Sequence, residues 1–289
     1  MTDDPFVTHR SLLFTVAYEM LGSAADAEDV VQETWLRWAD GDRSDVRDPR
    51  AYLVRIVTRQ ALNRLRTLAR RREDYVGEWL PEPLLTSPDV AEDVEFAESV
   101  SLAMLTVLET LGPVERAVFV LREVFDLPYD EISAAVEKSQ SAVRQIAHRA
   151  REHVAARRPR VQVDPAEQRQ VVERFLAALE TGELQMLLDV LAPDVVLIAD
   201  GGGEAVAVRH PVAGRDRVVK LLSRFRRVAP DAVLETVWLN GSPAFRVNLA
   251  GELDTVVSLA VADGRITGIY AIRNPHKLAR LGEEATLSR

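Results

Sequence analysis

Ten arginines lie between Arg43 and Arg72 (43, 47, 50, 55, 59, 64, 66, 70, 71 and 72), with only Asp45 and Asp48 as acids among them. The next stretch reverses the sign: Glu73 to Glu95 carries eight acids and no Lys or Arg. From Lys138 to Arg160 the balance turns basic again, with seven Lys or Arg against Glu152. A chain of net charge −9 that segregates its charge this way does not bind polyanions indiscriminately. It predicts two separate basic, nucleic-acid-facing modules joined by an acidic linker.

The apolar residues say which elements carry those charges. Residues 8–22 have a helical stripe of Leu12, Leu13, Val16 and Met20, ended by Gly22. AEDVVQETWLRW continues as a second helix from a Ser23 or Asp26 cap to about Ala39, with Val30, Val31, Thr34, Trp35 and Trp38 at helical spacing. After the polar loop ADGDRSDVRDP, Pro49 starts a third helix, whose buried stripe is Leu53, Ile56, Val57, Leu62, Leu65 and Leu68. EWLPEPLLTSPD holds three prolines and reads as an irregular linker. Helix resumes from about Val90 to Leu111, breaks at Gly112-Pro113, and runs again through PVERAVFVLREVF. YDEISAAV, the turn EKSQ and SAVRQIAHRAREHVAARR then form a helix-turn-helix pattern.

Beyond Pro159 the pattern changes. Helices are predicted over about 165–180, 183–191 and DRVVKLLSRFRR. Strands are predicted in VVLIAD, AVAVRHPV, AVLETVWL, AFRVNLAG, TVVSLAVA and RITGIYAI, with Asn240-Gly241 and Asp263-Gly264 as hairpin turns. This predicts an α+β domain built on a curved antiparallel sheet.

These motifs in this order resemble extracytoplasmic-function sigma factors of the sigma-70 family. DAEDVVQETWLRW (26–38), the Arg-rich helix 50–72 and the helix-turn-helix 129–153 are similar to the sigma-2 and sigma-4 domains. The tail resembles the SnoaL-like, or NTF2-like, cone-shaped fold that a subgroup of these factors carries. That subgroup has three short signatures, which read here WLPEP (79–83), DGGG (200–203) and NPHKL (274–278). The implied architecture is multidomain: two all-α sigma domains followed by an α+β SnoaL-like domain. Its expected boundaries are sigma-2 at 1–74, the linker at 75–95, sigma-4 at 96–160 and the SnoaL-like domain at 165–280.

The resemblance assigns Asp26, Glu28, Asp29, Gln32, Glu33, Trp35 and Leu36 to docking on the clamp of the polymerase large subunit, with the flap as a further core contact. Chemistry alone allows a solvated acidic face with Trp35 in the core. Arg55, Arg59, Asn63, Arg66 and Arg70 share a helix face at three- and four-residue spacing, suited to tracking phosphates and, through Asn63, to reading a base edge. The resemblance gives this helix and the loop at roughly 39–50 the melted −10 element. Tyr52 can serve as a stacking platform or as a core residue. In the second module Ser139 is the expected cap. Gln140, Ser141, Arg144, Gln145, His148 and Arg149 face the major groove of a −35 element, and Val143, Ile146 and Ala147 pack inward.

Two departures stand out. The last signature usually has Asp where this chain has His276, and the helix-turn-helix turn often has Gly where this chain has Glu137, a costly residue for left-handed backbone.

There is no cysteine, so no disulfide framework. No P-loop, metal cluster or nucleophile elbow is present, and neither catalytic residues nor a cofactor or metal are expected. MTDDPFVTHR lacks an apolar signal core and no apolar stretch is long enough to span a bilayer, which fits a cytoplasmic protein without membrane contact. One rival remains from another class: a DNA-binding regulator with a ligand-binding or enzymatic NTF2-like tail, in which Asp200, His210 and Asp216 supply acid and base. Against it, Asp200 with Gly201, Gly202 and Gly203 reads as a tight turn, and the subgroup's tail acts as a built-in regulator. The contact is expected between Trp79, Leu80, Pro81, Glu82 and Pro83, the glycine turn, and Asn274, Pro275, His276, Lys277 and Leu278.

Overall fold

The computed structural model describes residues 4–41, 43–44, 46–73, 75–157 and 164–289, the side chains of 69–73 excepted. The chain divides into two compact units, residues 1–73 with 105–158 and 286–289, and residues 74–104 with 159–285.

In the first unit, α1 (Pro5–Leu21) starts where the Asp4 carboxylate accepts from the Phe6 amide at 2.8 Å and stops at left-handed Gly22. Ser23 caps α2 (Ala24–Asp40). α3 (Pro49–Glu73) packs on both. Their shared core is the expected stripe: Leu13, Val16, Met20, Val30, Val31, Thr34, Trp38, Leu53, Val57 and Leu62 are all buried. Ile56 is only half-buried.

The helix predicted from Val90 to Leu111 is two helices, α4 (Val94–Val100) and α5 (Leu102–Leu108). Ser101 between them is extended, and its hydroxyl donates to the Glu98 carbonyl at 2.7 Å and accepts from the Met104 amide at 3.1 Å. A serine closing one helix and opening the next interrupts a continuous apolar pattern without a glycine or proline. α6 (Pro113–Phe119) continues as a π turn over Val120–Val124, and α7 (Tyr129–Val136) and α8 (Gln140–Ala155) complete the helix-turn-helix.

The second unit is a sheet covered on both faces. α9 (Pro165–Thr181) and α10 (Leu184–Val190) precede β1 (Leu191–Asp200). β2 (Val212–Ala213), α11 (Arg215–Leu222) and α12 (Phe225–Val228) follow. Then come β3 (Val233–Leu239), β4 (Ser242–Leu249), β5 (Glu252–Ala262) and β6 (Arg265–Ile272), with α13 (Pro275–Leu278) last. Both turn residues have positive φ in Asn240-Gly241, Ala250-Gly251 and Asp263-Gly264, the type I′ pattern.

The strand order is β2-β1-β6-β5-β4-β3. The sheet is mixed rather than antiparallel throughout, because β1 and β6 run parallel. Hairpin signals report only on neighbours in sequence, whereas this parallel pair is closed by everything between them. Of the strand predicted over AVAVRHPV, only Val212 is in a strand.

Alternation along the strands sorts the two faces. Leu197, Ala199, Phe245, Val247, Val257, Leu259 and Ile269 pack beneath α9, α10 and α11, with Phe175 and Phe245 rings 5.9 Å apart. Ile198, Val237, Leu239, Ala244, Val256, Tyr270 and Ile272 face the other way. There the irregular segment supplies Leu80 and Leu85, joined by Leu102 at the start of α5 and by Leu278. The proline-rich segment is thus a cover for the second face of the sheet.

Candidate functional site

Asp200 ends β1 on that second face and is fully buried. Its Oδ1 accepts from the Tyr75 hydroxyl at 2.6 Å and the Gly202 amide at 3.0 Å. Its Oδ2 accepts from the Leu80 amide at 2.9 Å and from Lys277 Nζ at 2.7 Å. Lys277 also donates to the Leu80 carbonyl, and its ammonium lies 4.1 Å from the centre of the Trp79 ring. Asn274 Nδ2 donates to the Tyr75 hydroxyl at 2.7 Å, and its Oδ1 caps α13 at the His276 amide. Burial first, and then the Asp200 carboxylate, push the Tyr75 phenol above its ordinary range.

All three sequence signatures meet here. Pro81, Glu82 and Pro83 are buried, Trp79 is half-buried, and Arg280 Nε lies 3.8 Å from Glu82. Gly202 and Gly203 have positive φ, and a Cβ on Gly202 would fall 2.5 Å from Asn274 Nδ2. A Cβ on Gly201 would sit 2.3 Å from the Ala205 carbonyl. His276, the departure from the subgroup, is exposed and bonds Glu204 through Nε2 at 2.8 Å.

A second latch went unread in the sequence. Asn240 is fully buried, and its side chain accepts from the Leu84 amide and donates to the Val100 carbonyl, each at 2.9 Å. The Gly241 amide donates to Thr86 Oγ1 at 3.0 Å. The Asn-Gly pair was legible only as a turn, because a hairpin signature carries no information about what its side chain binds. Tyr75 likewise had no signal, since a lone tyrosine in a linker marks nothing.

The acid/base set Asp200, His210 and Asp216 is not assembled as a reactive group. Asp200 is occupied by four donors, while His210 and Asp216 are exposed. Among the described residues, no group of three or more His, Asp or Glu could hold a metal. No described helix is long and apolar enough to cross a membrane.

In the first unit, Trp35 and Leu36 are 37% and 54% exposed, so Trp35 is not a core residue; its ring lies 5.1 Å from Phe6. Gln32 and Glu33 are exposed beside them. Asp26 and Asp29 are both held by Arg64, at 2.7 and 2.6 Å, and Glu28 pairs with Arg10. On α3, Asn63 and Arg66 are exposed and bonded to each other at 3.2 Å. The side chain of Arg70 lies outside the described residues. Tyr52 is half-buried, 6.0 Å from Trp38, with Arg55 over its ring at 5.2 Å.

The helix-turn-helix follows its sequence. Ser139 caps α8 at the Ala142 amide, and Val143, Ile146 and Ala147 are buried. Gln140, Ser141, Arg144, Gln145, His148 and Arg149 are exposed. Arg144 lies over Tyr129, His148 near Glu152 and Arg149 near Glu115. Glu137 holds left-handed backbone at φ 56°, ψ 48°.

The two helical modules clasp each other through reciprocal arginines. Arg59 of α3 donates to the Ala134 carbonyl in the last turn of α7 at 2.9 Å and pairs with Glu137 at 3.2 Å. Arg116 of α6, 2% exposed, donates to the Glu19 carbonyl in the last turn of α1 at 2.9 Å and pairs with Glu109. Each domain thus satisfies orphan carbonyls at a helix end of the other. Between them lies a cleft of about 390 Å³ lined by Arg47, Asp48, Tyr52, Arg55, Glu131 and Ala134, among others. Burial and the neighbouring Asp48 and Asp130 push the Glu131 carboxyl upward, with Arg50 opposing.

A basic three-helix module, a helix-turn-helix module and an α+β sheet domain on one chain are the parts of a sigma factor with an added C-terminal domain. Residues 6–71 match Sigma-70 region 2, residues 101–154 Sigma-70 region 4, and residues 172–269 the SnoaL-like domain. The chain is 37% identical to the ECF RNA polymerase sigma factor SigJ of Mycobacterium tuberculosis, covering 94% of this chain and 91% of that one. It is 35% identical to the probable ECF RNA polymerase sigma factor SigI of the same species, covering 96% and 94%. The crystal structure of SigJ superposes with a TM-score of 0.78 at 33% identity, covering 96% of this chain and 98% of that one. The chain belongs to the ECF RNA polymerase sigma factors that carry a C-terminal SnoaL-like domain.

Proposed function

We propose that this chain binds core RNA polymerase and promoter DNA, and that its SnoaL-like domain regulates initiation by holding the segment that joins the two sigma domains. Polymerase docking falls to Asp26, Glu28, Asp29, Gln32, Glu33, Trp35 and Leu36. The −10 element falls to Arg55, Arg59, Asn63, Arg66 and Arg70. The −35 element falls to Gln140, Ser141, Arg144, Gln145, His148 and Arg149. The exposure of an apolar pair, Trp35 and Leu36, beside acids supports the first assignment.

The observation that carries the regulatory reading is the Asp200 carboxylate, which ties Tyr75, Leu80 and Lys277 together. The path from Glu73 to Leu105 is the tether between the sigma domains, and it is built into the second unit. A tether held on a sheet restricts how far its ends can separate; a released one does not. The reciprocal Arg59 and Arg116 contacts support a closed state in which part of the α3 face is already occupied by α7. Regulation rather than turnover by the tail is supported by the engagement of Asp200 with four donors.

The test is run-off transcription with purified core polymerase on the promoter of the protein's own gene, comparing the full chain with Asp200→Asn and Gly202→Ala. Protein-dependent transcripts whose level changes in both variants uphold the reading. Transcription untouched by either variant sinks the regulatory part, and none from the folded parent chain sinks the whole. Point variants are preferable to deleting the tail, since deletion would strip Leu80, Leu85 and Leu102 of the sheet they cover.

A further inference from the structure

α11 and α12 carry the densest positive charge of the second unit. Residues 215–227 hold six cations, Arg215, Arg217, Lys220, Arg224, Arg226 and Arg227, against one acid, Asp216, in a chain of net charge −9. Two of the six serve the fold: Arg215 donates to the Leu188 carbonyl at 3.4 Å, and Arg226 to the Pro230 carbonyl at 3.2 Å. The other four, Arg217, Lys220, Arg224 and Arg227, are exposed.

They recur at intervals of three, four and three residues. Ser223 and Arg224, which link α11 to α12, both keep right-handed helical backbone, so the four share one face. At a helical rise of 1.5 Å per residue the stripe is about 15 Å long. Buried Val218 and Val219 fix α11 on the core beneath β1, so the stripe is mounted on a rigid element.

None of the four has an ion pair among the described residues. Other cations of the same domain do: Arg246 with Glu235 at 2.5 Å, Arg273 with Asp254 at 2.7 Å and Lys277 with Asp200 at 2.7 Å. A row of like charges without partners is a cost to the fold that an external polyanion offsets.

We propose that Arg217, Lys220, Arg224 and Arg227 form a third nucleic-acid contact, gripping the phosphate backbone of duplex DNA without reading sequence. Duplex DNA carries one charge about every 1.7 Å of axis, so a stripe of about 15 Å faces several phosphates. Three of the four are guanidinium groups, whose planar forks match phosphate oxygens, and contacts to phosphate position a protein on the duplex without carrying sequence information. DNA as the polyanion rests on the sigma-factor reading, because the same chain carries two other promoter-facing modules and tethering raises the local DNA concentration.

The test uses the full-length chain, alone and with core polymerase, titrated into labelled duplex over a series of salt concentrations. The quadruple variant R217Q/K220Q/R224Q/R227Q is expected to lower the slope of log affinity against log salt by about two to four, at about 0.9 per lost phosphate contact. The loss should be the same on promoter and scrambled duplexes. The charge-preserving R217K/R224K/R227K is expected to keep the parental slope within about one. An unchanged slope in the quadruple variant overturns the proposal. So does a variant that retains its DNA affinity but loses core polymerase, or loses binding to vesicles of anionic phospholipid that the parent binds; the stripe would then serve a protein or a membrane. If the parent supports no transcription, the sigma reading falls, while the slope difference on duplex still decides the stripe.

Discussion

Lys277 and Asp200 form an ion pair of 2.7 Å in which the carboxylate is fully buried and the ammonium nearly so. The two partners are not equivalent. Removing Asp200 leaves a buried cation without its carboxylate, facing the Leu80 carbonyl and the Trp79 and Tyr75 rings. Removing Lys277 leaves a carboxylate that still has three donors, from Tyr75, Leu80 and Gly202. Asp200→Ala is therefore expected to destabilise the second unit by about 3–5 kcal/mol, and Lys277→Met by distinctly less. Urea unfolding of the full chain checks this, and equal losses would show that the lysine carries as much as the aspartate.

Gly202 and Gly251 separate backbone strain from crowding. Both have positive φ, 64° and 85°. A Cβ at Gly251 meets nothing within 4 Å, so Gly251→Ala should cost about 1 kcal/mol for the left-handed conformation alone. A Cβ at Gly202 pushes on Asn274, which holds the Tyr75 hydroxyl. Gly202→Ala should therefore cost about 2–3 kcal/mol and change transcription, whereas Gly251→Ala should leave transcription alone. Identical behaviour of the two variants would mean that Asn274 yields freely.

The helical modules were legible because their caps, stripes and charges are local. Ser23 and Ser139 cap as their sequence position implies, whereas α1 starts at Pro5 under an Asp4 cap, three residues before the helix expected from residue 8. Ser101 was not legible, since a serine breaks a helix only when its hydroxyl finds the right amide. The parallel pairing of β1 with β6 depends on residues far apart in the chain. WLPEP, DGGG and NPHKL could be placed at one contact only by resemblance. Nothing in their spacing says that Asp200 is the acceptor for both Tyr75 and Lys277, or that Asn240 makes a second latch at Leu84.

Glu137 pays for left-handed backbone that glycine adopts freely, and pairs with Arg59 in return. The pair is largely exposed and worth at most about 1 kcal/mol, while the backbone term is about 1–2 kcal/mol. Glu137→Gly is thus expected to leave the fold as stable or slightly more so, yet loosen the hold of α7 on α3. Transcription should rise. Arg59→Ala loosens the same contact but removes a residue assigned to the −10 element, so transcription should fall. A pair of spectroscopic labels on α3 and α8 should report wider separation in both variants. A fall in transcription for Glu137→Gly would show that the clasp does not restrain initiation.

Arg144 projects from α8 over the ring of Tyr129, free of any acid among the described residues. Arginine at this place suits guanine in the major groove. Arg144→Ala should weaken promoter binding by about 1–3 kcal/mol, with the loss concentrated at one base pair of the −35 element, and leave association with core polymerase unchanged. Normal transcription from its own promoter would displace the register of the recognition helix.

Tyr75 gives the site a pH signature. Its phenol is held protonated by burial and by Asp200, so the folded state binds the proton more tightly than the unfolded chain does. A raised value contributes stability that is fully present below the ordinary tyrosine value of about 10 and is lost as pH rises above it. Stability should be flat to about pH 9 and then fall by up to about 1.4 kcal/mol per pH unit for each such group. Tyr270, pushed up to about 12 by burial, adds a second group of the same sign. Tyr75→Phe should lower stability at neutral pH by about 1–2 kcal/mol, because Asp200 loses a donor, and should make the alkaline fall shallower while Tyr270 keeps part of it. An alkaline profile identical in Tyr75→Phe and the parent, measured by urea unfolding across pH 8 to 11, would remove Tyr75 from the buried network.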